Sequence, residues 1–588
     1  MSELASGSDH YALHWTIDNG TSWVENVYGR KYNWAKADQE LFEQILRDKV
    51  TSSRAFAILK RAGLPSEEQL ETAAQDLEDA LILAADTSVP LKKPSPKAQP
   101  WFTGQLLEER AKMIRVRLAE RRARQWGGDA AEWGADESSN TATNRFKHHA
   151  KLAKQKYYSQ IVEETTSQNV WDRHRWVKSR RQYLSPPIQR PGQSPAVEHA
   201  DKCDALRAEL FPPPADLEDE PPDLTQVFPD ELPHPWVKMS EVRRAIFSPN
   251  PNKAPGPDQI PFLALHWAWG CIRGELYLLY AKCVAVGYHP RIWREGITFI
   301  VKKPNKPDYS KARAHRPIAC VKTSGKVLEK VETTRLSHPA ITHQLLSPGQ
   351  FGAVPGKSTV DAGLAVVHDI EIARARGLVS SCLTIDITGF FDHVNHTRLL
   401  CILREKKVAI PVIKWVKCFL TDRSTALCLD GICDEMKPVN TGVPQGSSFS
   451  PLASNLYISG AEPMFKAKTA ELIARYPGHK AVEPDLKAFV DDMHVIVSSD
   501  SLEINAKILQ ECYSILEDWA HQQGLKFDMD KRELIHFSRR PRDAGVSPSI
   551  RLPSKPDANG HREMTTLSAP PVTKWLGIYW DRKLTFRP

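Results

Sequence analysis

The chain has 588 residues, with 79 Lys and Arg against 71 Asp and Glu, a formal net charge of +8, and 41% hydrophobic residues. That length implies about three or four folding units and excludes a small scaffold that needs staples; the composition is that of a soluble globular protein with a basic bias, not a disordered one. The Cys residues at 203, 271, 283, 320, 382, 401, 418, 428, 433 and 512 stand singly, without Cys-x-x-Cys or zinc-type His spacing, which points to a reduced, intracellular compartment. Apolar runs such as Ala80 to Ala85 fall far short of the roughly 20 residues of a membrane span, and Met1 to Trp15 has no signal-peptide apolar region.

From Lys36 to Thr87 the pattern predicts helix, with Leu41, Phe42, Ile45 and Leu46 spaced for one buried stripe. After a Pro-rich break from Val89 to Pro100, Thr103 to Trp126 reads as a basic helix carrying Arg110, Lys112, Arg115, Arg117, Arg121, Arg122 and Arg124. From Arg145 to Tyr183 cations alternate with rings, among them Lys147, Lys151, Tyr157, Tyr158, Trp171, Arg173, Trp176 and Arg181. Such cations neutralise phosphates and such rings stack on bases, but a solvated face above packing aromatics has the same lettering. Ser185 to Pro235 is rich in Pro and acidic residues, which disfavours helix and strand and predicts a linker. Beyond it strands and helices mix irregularly to Pro588, without repeats or strict βαβ alternation, so the expected class is α+β.

Two segments carry chemistry. Cys382 to Asp386 alternates like a strand, with Leu383 and Ile385 on one face and Asp386 on the other, pointing away from the core. Leu486 to Val497 reads as two apolar strands with Asp491 and Asp492 at the bend, a hairpin with an acidic tip. Adjacent acids repel, and although an isolated Asp-Asp pair is most simply a turn, a divalent metal would explain acids set between β-formers. Two ions about 3.5–4 Å apart, held by carboxylates of neighbouring strands, suit an in-line nucleotidyl transfer.

The segments around these acids resemble, in order, the reverse transcriptase of non-LTR (LINE-like) retrotransposons. The resemblance runs through Asn252-Lys253-Ala254-Pro255-Gly256-Pro257-Asp258, Ile297 to Lys303, His315-Arg316-Pro317-Ile318 and Lys326 to Lys330. It continues through Gln350-Phe351-Gly352 to Asp361, Asp386-Ile387-Thr388-Gly389-Phe390-Phe391-Asp392, Thr441 to Leu452, Phe489-Val490-Asp491-Asp492, Lys526 to Phe537 and Lys574 to Phe586. It covers Ser240 to Phe586, more than half of the chain. The copy departs from the family pattern at Ala353 and Val354, at Thr388, and at Phe390, which replaces a small residue and is expected to crowd the nucleotide pocket.

The resemblance implies right-hand polymerase fingers and palm, an antiparallel palm sheet with helices, preceded by a basic, mainly helical region. It implies RNA-directed DNA polymerase activity on an RNA template and DNA primer with dNTP. Asp386, Asp491 and Asp492 would bind two Mg²⁺, for which Mn²⁺ can substitute. Arg316 would contact the triphosphate, Gln445 and Gly446 would orient the nucleotide, and Phe391 would exclude a 2′-hydroxyl. Lys531 would protonate pyrophosphate. Elementary physics adds that Gly446 allows close backbone approach, that Ser450 caps and Pro451 begins a helix, and that Ser358 and Asp361 form a capping pair.

The expected divisions are 1–30, a remnant of an endonuclease end signalled by Ser8-Asp9-His10; 31–184, a basic helical spacer; 185–235, a linker; 236–377, fingers; and 378–588, palm. On this reading the thumb is missing, nicking activity is not expected, and processivity is poor. The resemblance implies nuclear action and no membrane role, and leaves the oligomeric state open. The rival function is an inactive retrotransposon relic that only binds nucleic acid; an intron-encoded maturase is a third, for which no segment speaks.

Overall fold

Helix α1 (Gln39–Ser52) opens on Asp38, whose side chain accepts from Leu41 N, and buries Phe42, Leu46 and Val50 at helical spacing. Helices α2 (Arg54–Arg61) and α3 (Glu67–Ser88) follow, α3 starting at a capping box between Ser66 and Gln69. The computed structural model describes residues 32–61, 63–91, 101–164, 184–555 and 561–586, so Ser8-Asp9-His10 and the cations and rings from Trp171 to Arg181 lie outside the described residues. The chain forms two compact units, one from 91–184 and the other from 26–90 with 185–588.

This division departs from a single spacer over 31–184. Helices α1 to α3 share the apolar core of the larger unit, and α3 is also tied to it by polar bonds. Glu71 accepts from Tyr288 Oη and Arg291 N, each at 2.8 Å, and Glu78 accepts from Trp293 Nε1 at 2.8 Å. In the smaller unit, α4 (Gly104–Trp126) and α5 (Ser139–Glu163) pack on each other, with Thr103 and Ser138 capping them as acceptors. The basic helix therefore has the predicted bounds.

The expected linker is partly folded. Strands β1 (Ile188–Arg190) and β2 (Gln193–Ala196) pair, and α6 (His199–Leu210) follows. Ile188, Ala196, Cys203, Leu206 and Leu210 are buried with Leu427 and Leu429. Averaged composition across this stretch hides a short helix whose apolar face is completed by a distant strand. The Pro-rich remainder, 211–238, has neither helix nor strand, as its chemistry predicts.

A five-stranded sheet comes next. Strand β3 (Glu295–Lys302) runs antiparallel to β4 (His315–Val321) and parallel to β6 (Arg423–Leu429); β7 (Ile432–Cys433) and β8 (Lys437–Val439) pair with β6. This sheet crosses the expected boundary between 377 and 378, because a parallel pair needs a long crossover and the intervening chain supplies it. The hairpin register sets Cys428 opposite Cys433, and these form a disulfide, contrary to the expectation of single thiols. The other eight cysteines are free.

The second sheet is antiparallel, in the order β11 (Glu533–Phe537), β5 (Val379–Asp386), β10 (Asp492–Ser499), β9 (Ala481–Phe489). Leu383, Ile385, Met493, Val495 and Val497 face the main core, with Ile508, Leu509, Cys512 and Leu516 of a long helix, Leu502–Gln522, packed there. Cys382, Ile496, Ile535 and Phe537 alternate to the other face, where Ala362, Val366 and Ile370 of the helix Thr359–Ala375 and Trp575 and Trp580 of a C-terminal hairpin cover them. The face opposite Leu383 is thus a second core and not solvent, and Asp386 emerges from the sheet only at the end of its strand.

Candidate active site

Register brings the acids together. Asp386 ends β5, Asp492 begins β10, and the two are direct cross-strand partners, while Asp491 sits in the two-residue turn after Phe489. The turn bends through Val490 at φ 59°, a conformation that costs a β-branched residue energy. Gly352 backs this turn: a Cβ there would lie 2.5 Å from Val490 N. Asp386 is only 8% exposed.

Clustering shows in the protonation equilibria. Burial first, then the Asp386 charge, pushes the Asp491 carboxyl up to about 6. Burial, then Asp491 and Asp386, pushes Asp492 up to about 7. Lys531 supplies the nearest positive charge, with Nζ 2.5 Å from Asp386 Oδ2 and 3.6 Å from Asp528. Burial works against this ammonium, but the bond and charge of Asp386 and the Asp528 charge outweigh it and hold its pKa above the ordinary lysine value. Among the described residues, no three His, Cys, Asp or Glu side chains converge as a metal cluster, so the expected three-carboxylate cage is not drawn together in this conformation. Here Asp386 is paired with Lys531.

These acids face a cleft of about 2060 Å³, which Arg316, Phe391, Gln445 and Lys531 also line. Arg316 is exposed on β4, opposite Val301 of β3, and its charge acts on Asp491. Phe391 is half-buried at the cleft, whereas Phe390, expected to crowd the nucleotide, is 1% exposed and packs in the main core. Gly446, at φ 121°, makes its close approach to protein: a Cβ would meet Ala319 O at 2.7 Å, and it is Gln445 that reaches the cleft. Pro451 lies in the first turn of a helix, Ser450–Tyr457, that begins one residue earlier than expected, so Ser450 does not cap it; its Oγ donates to Pro444 O at 2.8 Å and braces the preceding loop. The Ser358–Asp361 capping box is present.

Part of the chain matches a known family. Residues 301–579 match the reverse transcriptase (RNA-dependent DNA polymerase) family. The segment 301–579 is thus similar to reverse transcriptases. A retrovirus-related Pol polyprotein from type-1 retrotransposable element R1 of Bradysia coprophila is 25% identical over 83% of this chain and 45% of its own length. A probable RNA-directed DNA polymerase from transposon X-element of Drosophila melanogaster is 24% identical over 98% and 60%. The RNA-directed DNA polymerase from mobile element jockey of the same fly is 26% identical over 62% and 37%. The chain thus spans between about a third and three fifths of the length of these relatives.

The antiparallel sheet β11-β5-β10-β9 falls within the matched segment 301–579, and its acidic edge faces the cleft. Sequence reasoning gave no role to several polar groups around it. Asp392 accepts from Gln445 Nε2 at 3.1 Å and from Arg313 Nη1 at 3.3 Å, and Lys303 is pulled below the ordinary lysine value by burial, then by Lys531 and Arg316. Glu329, buried, accepts from Ser447 Oγ and anchors the Gln445–Gly446 loop from below. Asp392 lay within a quoted motif, but nothing in linear spacing distinguishes a buried acceptor from a surface acid. Among the described residues no helix is long and apolar enough to cross a membrane.

Proposed function

We propose that this chain is the RNA-directed DNA polymerase of a non-LTR retrotransposon, extending a DNA primer on an RNA template with dNTP. The carrying observation is the register that sets Asp386 opposite Asp492, with Asp491 beside them, on the floor of a cleft whose wall presents Arg316, Lys303 and Lys531. Asp491 and Asp492, whose carboxyls are pushed up by burial and then by the neighbouring acid charges, are with Asp386 the kind of oxygen donor that a hard divalent cation prefers. Asp386, Asp491 and Asp492 would hold two Mg²⁺, which when bound neutralise the acids and the triphosphate and favour the attacking and leaving oxygens.

The remaining roles belong to the chain's own groups. Arg316 forks onto phosphate oxygens. Phe391 lies under the sugar and selects against a 2′-hydroxyl, and Gln445 orients the nucleotide. Lys531, protonated at neutral pH, donates to the departing pyrophosphate. Nuclear action and the fingers, palm and spacer assignments belong to the same proposal.

The test is dNTP incorporation on a primed RNA template with Mg²⁺, comparing the chain with Asp491→Asn. Incorporation by the first and loss in the second is expected. Equal signal in both, zero included, removes the enzyme reading; nucleic-acid retention with a steep salt dependence would then leave a binding protein without turnover.

A further inference from the structure

Asp392 is a buried carboxylate, 8% exposed, whose two oxygens serve different partners: Oδ1 accepts from Gln445 Nε2 at 3.1 Å, and Oδ2 from Arg313 Nη1 at 3.3 Å. Arg313 continues through Nε to Glu209 Oε1, 2.7 Å away on α6. The segment Gly389–Asp392 is closed tightly over this guanidinium, since Gly389 at φ 55° leaves no room for a Cβ beside Arg313. The chain Glu209–Arg313–Asp392–Gln445 therefore links four separate segments along one wall of the cleft.

Each bond has a fixed sense. An ionised carboxylate only accepts, so Gln445 must turn its NH₂ inward and keep its amide oxygen as the free acceptor. The backbone needs none of this to hold its shape. Val443 N already donates to Phe391 O at 2.7 Å and Gly442 N to Val394 O at 3.1 Å, so the motif and the 441–443 loop are stapled independently of the Asp392 side chain. As a stabiliser the carboxylate is poor: burial drives it up to about 6 despite Arg313 and Gln445, and such buried pairs often contribute no net stability. What the side chain does control is the direction of one amide at the cleft.

We propose that Asp392 is a positioning residue for nucleotide binding, aiming the Gln445 amide, and that Arg313 and Glu209 anchor it. Helix α6, which lies outside the matched segment 301–579, is thereby part of the nucleotide-binding wall. The inference rests on the polymerase reading above, with Gln445 at the incoming nucleotide.

The test measures kcat and the KM for dNTP on a primed RNA template, with melting temperature recorded for every variant. Asp392→Ala is expected to raise KM about tenfold with kcat within about twofold, as loss of one aligned contact implies. Asp392→Asn, which keeps an oxygen acceptor, recovers most of that loss. In a Gln445→Ala background the Asp392→Ala change adds nothing further, because it acts through the amide already removed. Glu209→Gln raises KM by about two- to threefold with kcat unchanged, its charge-assisted anchor being weakened.

Additive KM effects in the double variant, or a fall in melting temperature with KM unmoved, would overturn the proposal while leaving the polymerase reading intact. A wild-type chain no more active than Asp491→Asn would overturn both. Should Asp392→Ala not fold, Glu209→Gln with and without Gln445→Ala carries the same cycle.

Discussion

The side chain of Gln350 holds Val490 by both of its backbone groups: Oε1 accepts from Val490 N at 2.9 Å, and Nε2 donates to Val490 O at 3.4 Å. The same Oε1 accepts from Gly352 N at 2.9 Å, and Gln350 is 2% exposed. One buried amide thus pins the strained residue immediately before Asp491 and Asp492. Among the described residues no other side chain bonds Val490 N.

Gln350→Ala should accordingly loosen the acidic tip. The unfolding free energy is expected to fall by about 1–3 kcal/mol, the usual cost of orphaning buried groups, and incorporation to fall with it. Gly352→Ala, which forces a Cβ against Val490 N, should act in the same direction. Denaturant unfolding and incorporation rate check both; an unchanged rate in either variant removes the claim that the turn is set from behind.

Lys531 competes with cations for Asp386. Because its ammonium sits 2.5 Å from Asp386 Oδ2, Lys531→Ala should lower the Mg²⁺ concentration needed for half-maximal incorporation. The same variant should lower kcat by about 10²–10⁴-fold, the range for a lost general acid. A Mg²⁺ titration of both chains separates the effects, and a fall in kcat alone would show that the bond to Asp386 does not matter to cation binding.

The two neighbouring phenylalanines should respond differently. Phe391→Ala is expected to raise ribonucleotide incorporation relative to deoxyribonucleotide, since Phe391 lines the cleft. Phe390→Ala should instead cost about 3–5 kcal/mol of stability with discrimination unmoved, because its ring lies in the core. Competition between the two nucleotide classes, together with thermal unfolding, distinguishes them.

Glu332 makes a pH prediction. It is buried at 1% exposure, neither oxygen has a hydrogen-bond partner among the described residues, and burial, eased by Arg335 and worsened by Glu241, pushes it up to about 8 from 4.5. The unfolded chain releases this proton near pH 4.5 while the folded chain keeps it, so the group penalises folding increasingly from pH 4.5 to about 8 and steadily above. Glu332→Gln should leave the melting temperature nearly unchanged at pH 4.5 and raise it by a growing margin up to pH 8. A constant difference across that range would show that Glu332 is ionised in the fold.

Much of this architecture was readable in the order of the letters because the interactions responsible are local. Alternation places Leu383 and Ile385 opposite Asp386, the bend between two apolar runs places Asp491 and Asp492, and Ser358 meets Asp361 within one helical turn. Thr103 marks the start of the basic helix for the same reason. The motif blocks from Asn252 onward pointed to the reverse transcriptase family, and the match over 301–579 agrees.

Other features depend on which remote segments meet. The Cys428–Cys433 bond needs the β6–β7 register, α6 folds because Leu427 and Leu429 complete its apolar face, and Ser450 braces Pro444 where its position suggested a cap. Phe390 and Phe391 look equivalent in sequence and both border the cleft, yet Phe390 is 1% exposed in the core while Phe391 is only half-buried against it. The sequence by itself determined periodicity, caps, turns and the family motifs, all governed by neighbours a few residues away. Only the tertiary structure decided burial and partner choice at Asp392, Gln350 and Glu332, because desolvation and pairing are set by chain segments that become neighbours when the sheets close.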